Sequence, residues 1–267
     1  MTSRPRIPGQ HTTALLNYYQ VPFGEEDERP PREVNLQDAE FISRRSVITD
    51  IRGQEDEWKL LDNGIQVVRT TSLDRNSELE DRVRKATGGR NVITYQNQTL
   101  DENAFKMSGT GSPLVQIDNT VNGAKDTMFG LFTEKGREIT SNGYLLVDAW
   151  RPIRDCQRSN LAFVDSSPRH ALKIDEDLIP VRQTNEKGPD RQSYCLKHGD
   201  GWDGPDRHHW NFLNGQTCNE VVLLRVAENR KGLPLSDLDR GDGFIHLSTP
   251  EQVELGPELP RVKAPER

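Results

Sequence analysis

Several things are scarce in this chain of 267 residues, and each scarcity narrows what it does. Apolar residues make up 33% and aromatic ones 6%, with a mean hydropathy of −0.80, so part of the chain is expected as extended loop. No stretch approaches the roughly eighteen consecutive apolar residues of a membrane helix, so no membrane partner is expected. The N-terminus, Met1-Thr2-Ser3-Arg4-Pro5, lacks the apolar core of a secretory signal, and a cytoplasmic protein is expected. Cysteine occurs three times (Cys156, Cys195, Cys218), too widely spaced for a zinc motif and odd in number, which points to reduced thiols. Positive charge is in deficit: 35 Lys and Arg against 42 Asp and Glu leave a net charge of −7 and a pI near 5.5. Phosphates demand a basic face, so nucleic acid is excluded as the expected partner.

What is present reads in two parts. Residues 1–35, rich in proline and charge, form an extended N-terminal arm whose one apolar patch is Leu15-Leu16-Asn17-Tyr18-Tyr19. Residues 36–267 form a single domain. Its first part looks α/β, with strands at Ser46–Ile51 and Ile65–Arg69. A helix over 54–62 stops at Asn63-Gly64. A second, over 77–87, opens on the capping pattern Ser77-Glu78-Leu79-Glu80. After Asn91, short β-rich runs occur at 92–95, 114–117, 144–150, 161–164, 193–196, 208–212, 221–226 and 244–247. Turn clusters separate them, which is the pattern of a sandwich or barrel. The expected class is therefore mainly β with peripheral helices. The polar stretch 182–207 reads as a functional flap or a disordered loop. Pro257 to Arg267, with its prolines, is no central strand.

Chemistry concentrates in Val115-Gln116-Ile117-Asp118-Asn119-Thr120. On a strand, Gln116 and Asp118 leave the same face. A second short strand, Phe244-Ile245-His246-Leu247-Ser248, carries one histidine. A carboxylate and a distant imidazole are two thirds of a facial site for non-haem iron. The third ligand belongs two residues before the carboxylate, and Gln116 stands there. Taken singly, Asp118 also reads as a strand-end acid, and His246, after Gly241-Asp242-Gly243, as a loop anchor. Arg151, just before Pro152, fits a carboxylate clamp or a buried ion pair equally. Trp150 and Trp210 read as core residues first and substrate platforms second. With Tyr144 and His209 they make up the candidate substrate-binding set. His208 and His209 face opposite sides if on a strand, so at most one reaches a pocket. His170 and His198 lie in polar stretches and read as solvated.

Several phrases together resemble a known family. They are Thr13-Ala14-Leu15-Leu16-Asn17-Tyr18, Asp50-Ile51-Arg52-Gly53, Leu61-Asp62-Asn63-Gly64-Ile65 and Gln116-Ile117-Asp118. Further on come Asp148-Ala149-Trp150-Arg151-Pro152-Ile153, Leu161-Ala162-Phe163-Val164-Asp165-Ser166, His209-Trp210-Asn211-Phe212 and Asn219-Glu220-Val221-Val222-Leu223. Over nearly its full length the chain resembles the fungal asaB-type hydroxylase/desaturase family, related to the cephalosporin methoxylase component CmcJ and the gibberellin desaturase. The resemblance implies a double-stranded β-helix (a jelly roll) and Fe(II)/2-oxoglutarate chemistry on a specialised metabolite. It implies Asp118 as the carboxylate ligand, His246 as the distal imidazole, and Arg261 or Arg267 as the holder of the 2-oxoglutarate carboxylate. Gln116 departs from that pattern, standing in the place of the first histidine. The C-terminal phrase survives only as Pro260-Arg261 and Arg267.

These departures set the functional expectation. A glutamine offers a neutral amide oxygen, a weak donor for a transition metal. Even damage behind the ligands costs a metal site ten- to a hundredfold in affinity, and loss of a ligand costs about that or more. The expected protein is an enzyme without metal or cofactor. Gln116, Asp118, His246 and Arg151 serve a non-oxidative step on a small natural product: cyclisation, isomerisation, dehydration or pericyclic closure. In that scheme His246 is the general acid or base, Asp118 orients it, and Gln116 donates to a developing oxyanion. One alternative is an active Fe(II)/2-oxoglutarate oxygenase using Asp118 and His246, with Gln116 tolerated or His208 or His209 substituting. The other is a non-catalytic binder. The sequence is compatible with a homodimer.

Overall fold

Backbone pairing in the first fifty residues sets the frame. The computed structural model describes residues 10–20, 34–71, 76–89, 92, 94, 115–132, 134, 144–156, 160–170, 172–183, 191–198 and 206–229. Strand β1 (His11–Tyr19) buries Ala14, Leu16 and Tyr18 on one face and leaves Leu15 50% exposed on the other, the alternation of a half-buried strand. It pairs antiparallel with β3 (Phe41–Asp50), from His11↔Thr49 to Tyr19↔Phe41. Thus residues 11–19 of the expected arm are an edge strand. Strand β10 (Trp210–Phe212) joins β3 in parallel, and β7 (Ala162–Val164) closes the order β1-β3-β10-β7.

Two further sheets flank this one. The second has the order β4-β11-β6, from Ile65–Arg69, Glu220–Asn229 and Tyr144–Trp150. The third has the order β2-β8-β9-β5, from Val34–Asn35, Leu178–Gln183, Arg191–Leu196 and Gln116–Ile117. One face of the first sheet packs Leu16, Ile48, Trp210 and Phe212 onto Ile117, Leu178 and Leu196 of the third. Its other face sets Phe163 with Ile65, Val222 and Leu224 of the second. The middle sheet therefore has apolar side chains going both ways, which explains its near-continuous hydrophobic runs.

The helices cover edges and ends. Helix α1 (Leu60–Asn63) ends on Gly64 at φ 79°, a left-handed cap that glycine adopts without a Cβ clash. Helix α2 (Asn76–Thr87) packs Leu79, Val83 and Ala86 onto Leu60, Val221 and Leu223. Helix α3 is Val121–Phe132 and α4 is the single turn Ile174–Asp177. No helix among the described residues is long and apolar enough to cross a membrane.

Several elements differ from the sequence reading. The helix expected over 54–62 is a 3-10 turn, Glu55–Glu57, followed by α1, with Trp58 and Lys59 extended between them. Arg52 holds Glu55 at 2.8 Å, and Trp58 turns edge-on to Phe163 with ring centroids 6.2 Å apart. Those tertiary contacts override local propensity. The helix α3 was not expected, because glycines at 123 and 130 lower its propensity; burial of Ala124 and Met128 stabilises it. The run at 208–212 becomes a strand only from Trp210, and Val92 and Thr94 are not in a strand. The run at 244–247 lies outside the described residues.

Candidate functional site

Strand β5 is short because it is an edge. Gln116 pairs with Cys195 and Ile117 with Tyr194, and the chain turns away at Asp118. Thr120 fixes that turn. Its Oγ1 accepts from the Gly123 amide at 2.9 Å and bonds the Gln192 side chain at 3.2 Å, while its amide donates to the Gln192 carbonyl at 3.0 Å. Thr120 is thus an N-cap tied to β9. Gly123 is required by the closeness of that tie, since a Cβ there would meet the Gln192 carbonyl oxygen at 2.8 Å. Helix α3 then crosses to the second sheet, packing Ala124 and Met128 onto Leu146, Val226 and Ala227. One short helix therefore spans from the edge of the third sheet to β6 in the second.

On β6, Tyr144, Leu146, Asp148 and Trp150 share the face turned towards α3 and the core. Asp148 sits between the cluster around Leu146 and the cluster around Trp150. Its carboxyl is hydrogen-bonded to Asp118. Burial among these neighbours pushes the Asp148 carboxyl well above the usual carboxylate range, and the adjacent Asp118 charge pushes it further. A hydrogen bond between two carboxyl groups needs one proton between them. On the other side, Gln116 Nε2 donates to Asp118 Oδ1 at 3.3 Å. Gln116, Asp118 and Asp148 each keep part of their surface open, so this acidic group is not sealed from solvent.

The other residues singled out from the sequence are spread over the three sheets. Trp150 and Tyr144 flank Asp148 on β6, both half-buried. Arg151 lies just past the strand and donates to Thr70 Oγ1 at 3.4 Å. Trp210 is 1% exposed, with its indole N–H 2.9 Å from both Tyr18 Oη and Asp206 Oδ2, which makes it a core residue. His209 is exposed, its ring against that of His170 with centroids 3.6 Å apart. Burial and the His170 charge lower its pKa. His170 and His198 are half-buried, each against another ring, and so less solvated than expected. His246, Arg261 and Arg267 lie outside the described residues. The three cysteines are free.

A separate polar network holds the first sheet to the third. Asp206 accepts from Ser46 at 2.8 Å, from Trp210, from Tyr18, and from His208 Nδ1 at 2.6 Å. Burial alone would raise the Asp206 carboxyl; the His208 hydrogen bond and charge overcome it and hold the group well below the usual range. His208 Nε2 lies 3.7 Å from Asp177 Oδ1, and Arg207 pairs with the same carboxylate. His208 is engaged by two carboxylates there.

Sequence reasoning passed over Asp148. A signal was available: an acid among Tyr144, Leu146 and Trp150 at the inward positions of a strand has no solvent to turn to.

The donor set on β5 does not fit iron. In place of an imidazole it offers one neutral amide, whose nitrogen is turned to Asp118. The Asp118 carboxyl in turn accepts that amide at Oδ1 and faces the Asp148 carboxyl.

The stacked sheets are those of a jelly roll. The chain belongs to the family described as an oxidoreductase/YMDC permease-like domain (YDMC), which matches residues 16–253. It is 25% identical over 255 residues to "Oxidoreductase AN1597" of Emericella nidulans, covering 82% of this chain and 84% of that protein. It is 25% identical over 265 residues to "Hydroxylase/desaturase efuI" of Hormonema carpetanum, covering 86% of each. A solved variant of the iron and alpha-ketoglutarate-dependent endoperoxidase NvfI superposes with a TM-score of 0.70 at 18% identity, over 96% of this chain and 94% of that one. The likeness to asaB-type hydroxylase/desaturases and the jelly-roll class both stand on these matches.

Proposed function

We propose that this protein is an enzyme of small-molecule biosynthesis that has kept the oxygenase scaffold and works without iron or 2-oxoglutarate. It carries out a non-oxidative step: isomerisation, dehydration, cyclisation or pericyclic closure. The observation that supports this reading is the Asp118–Asp148 pair beside Gln116, two carboxyl groups and a neutral amide where the family pattern has its first histidine and its carboxylate. In the reading, Asp118 is the base and Asp148 the acid, with Gln116 orienting Asp118 through its amide. Tyr144 and Trp150 form the apolar walls that bind the substrate. A pocket mostly apolar, with a few convergent polar groups, is the usual form of such a site. His246, in the register of the distal imidazole, is a second candidate for proton transfer. General acid–base catalysis of this kind is worth about a hundred- to ten-thousandfold in rate.

Activity should survive chelator treatment and omission of 2-oxoglutarate, and fall at least a hundredfold in Asp118→Asn. Dependence on both Fe(II) and 2-oxoglutarate would instead support the second reading, a hydroxylase/desaturase with an atypical metal site, which the names of the relatives favour. In that reading Asp118 and His246 hold the iron, and Arg261 or Arg267 binds 2-oxoglutarate.

A further inference from the structure

We propose that two copies of this chain pair through β1, strand against strand and antiparallel, about a two-fold axis at Thr13. The inference does not depend on the chemistry assigned to Asp118. Strand β1 is the edge of its sheet and pairs with β3 on one side. The Asp50 amide donates to the Gln10 carbonyl at 3.0 Å and the Gln20 amide to the Glu40 carbonyl at 2.9 Å, so the even-numbered residues of β1 are the ones bonded to β3. The odd-numbered residues therefore turn their backbone groups the other way. At one end that outer side is taken: the Val115 amide donates to the Asn17 carbonyl at 2.9 Å, and Tyr19 bridges Lys197. At His11, Thr13 and Leu15 it has no backbone partner among the described residues.

Native sheets shield such an edge with a charged side chain, a proline or a bulge. His11–Tyr19 holds no Asp, Glu, Lys, Arg or Pro in a chain that is 29% charged, and its register with β3 is unbroken. Apolar side chains stand out on the same face: Leu15 is 50% exposed, and Val47, paired with Thr13, is 59% exposed. A second copy is the occupant because the edge complements itself. Antiparallel pairing centred on Thr13 sets Thr13 against the partner's Thr13 and Leu15 against the partner's His11. It uses only the open outward positions and leaves the Asn17 carbonyl to Val115. Each copy carries a net charge of −7, and this uncharged strand lets two such chains meet with no like charges opposed. The same patch on both copies makes the contact isologous, with main-chain hydrogen bonds supplying the affinity and one sheet running through both.

Sedimentation velocity of the full chain should show a species of twice 30.3 kDa. Thr13→Pro removes an outward N–H that β3 does not use, and edge strands accept proline at such a position. Leu15→Lys sets a charge on a side chain already half-exposed. Each should raise the dissociation constant about tenfold or more and leave the far-ultraviolet circular dichroism as in the wild type. Register is read by cross-linking. A mixture of His11→Cys and Leu15→Cys chains should couple through a short bis-maleimide faster than either variant alone, above the background of the wild-type cysteines. A wild type that is monomeric at about 0.1 mM overturns the proposal. So does a dimer that both β1 variants leave intact, which would place the contact on another surface. Thr13 and Leu15 amides protected from hydrogen exchange in a monomer would also overturn it, since the chain would then cover its own edge.

Discussion

Asp148 alternates with Tyr144, Leu146 and Trp150 along β6, so its carboxyl has apolar neighbours before and after it and Asp118 across from it. Holding its proton above the unfolded value means the folded chain binds more protons than the unfolded one between the two pKa values. Its contribution is therefore fully favourable below the ordinary carboxylate range and is lost as pH rises. Asp148→Asn keeps the shape and cannot ionise. It should match the wild type in urea at pH 3 and be the more stable protein at pH 7. Asp206 is the opposite case, a buried carboxylate held ionised by His208. Its contribution is present above the unfolded value near 4 and is lost as pH falls towards the depressed folded value. Asp206→Asn leaves buried donors poorly met and should cost about 2–3 kcal/mol at pH 7, the difference shrinking below pH 4. Urea midpoints at pH 7, 5 and 3 check both substitutions.

Helix α3 links the turn at Asp118 to the sheet that carries Asp148. It begins just past Asp118, is capped by Thr120 and tied to Gln192, and ends on the sheet that carries Asp148. Gly123→Ala forces a Cβ to 2.8 Å from the Gln192 carbonyl oxygen, so the helix must shift. The expected cost is about 1–3 kcal/mol, the range for overpacking a close contact. Thr120→Ala removes the cap and should cost about 1 kcal/mol without moving the helix. Thermal unfolding measures both costs. Turnover separates them, since only Gly123→Ala displaces Asp118 from Asp148. None of this was legible in the sequence, where the glycines at 123 and 130 lower the helix propensity of residues 121–132.

Much of the molecule was legible because it is built of strands with turn residues between them. The run 144–150 is β6 as expected, and 161–164, 193–196 and 221–226 each fall on strands that start or end a few residues away. Alternation failed where a strand buries both faces, as at Trp210–Phe212, or where the chain leaves a local pattern for a distant partner, as at Trp58. Residues 11–19 show the limit from another side. Few apolar residues and flanking prolines suggested an arm, yet Leu16 and Tyr18 lie within the largest packed group among the described residues. Leu16→Ala should therefore cost about 2–5 kcal/mol, while Leu15→Ala, half-exposed on the opposite face, should stay within about 0.5 kcal/mol. Paired urea titrations of the two variants check the assignment. At the site, Gln116 and Asp118 were singled out by strand spacing together with the family resemblance, and the structure sets Gln116 Nε2 3.3 Å from Asp118 Oδ1. Asp148 was not, because its role depends on a helix that brings one sheet's edge to another.

The most direct measurement is an anaerobic titration of the full chain with Fe(II), with and without 2-oxoglutarate, following bound metal after gel filtration. A neutral amide in the place of the first imidazole predicts that no stoichiometric iron is retained and that Asp118→Ala changes nothing in the titration. One equivalent of iron retained by the wild type and lost in Asp118→Ala would contradict it.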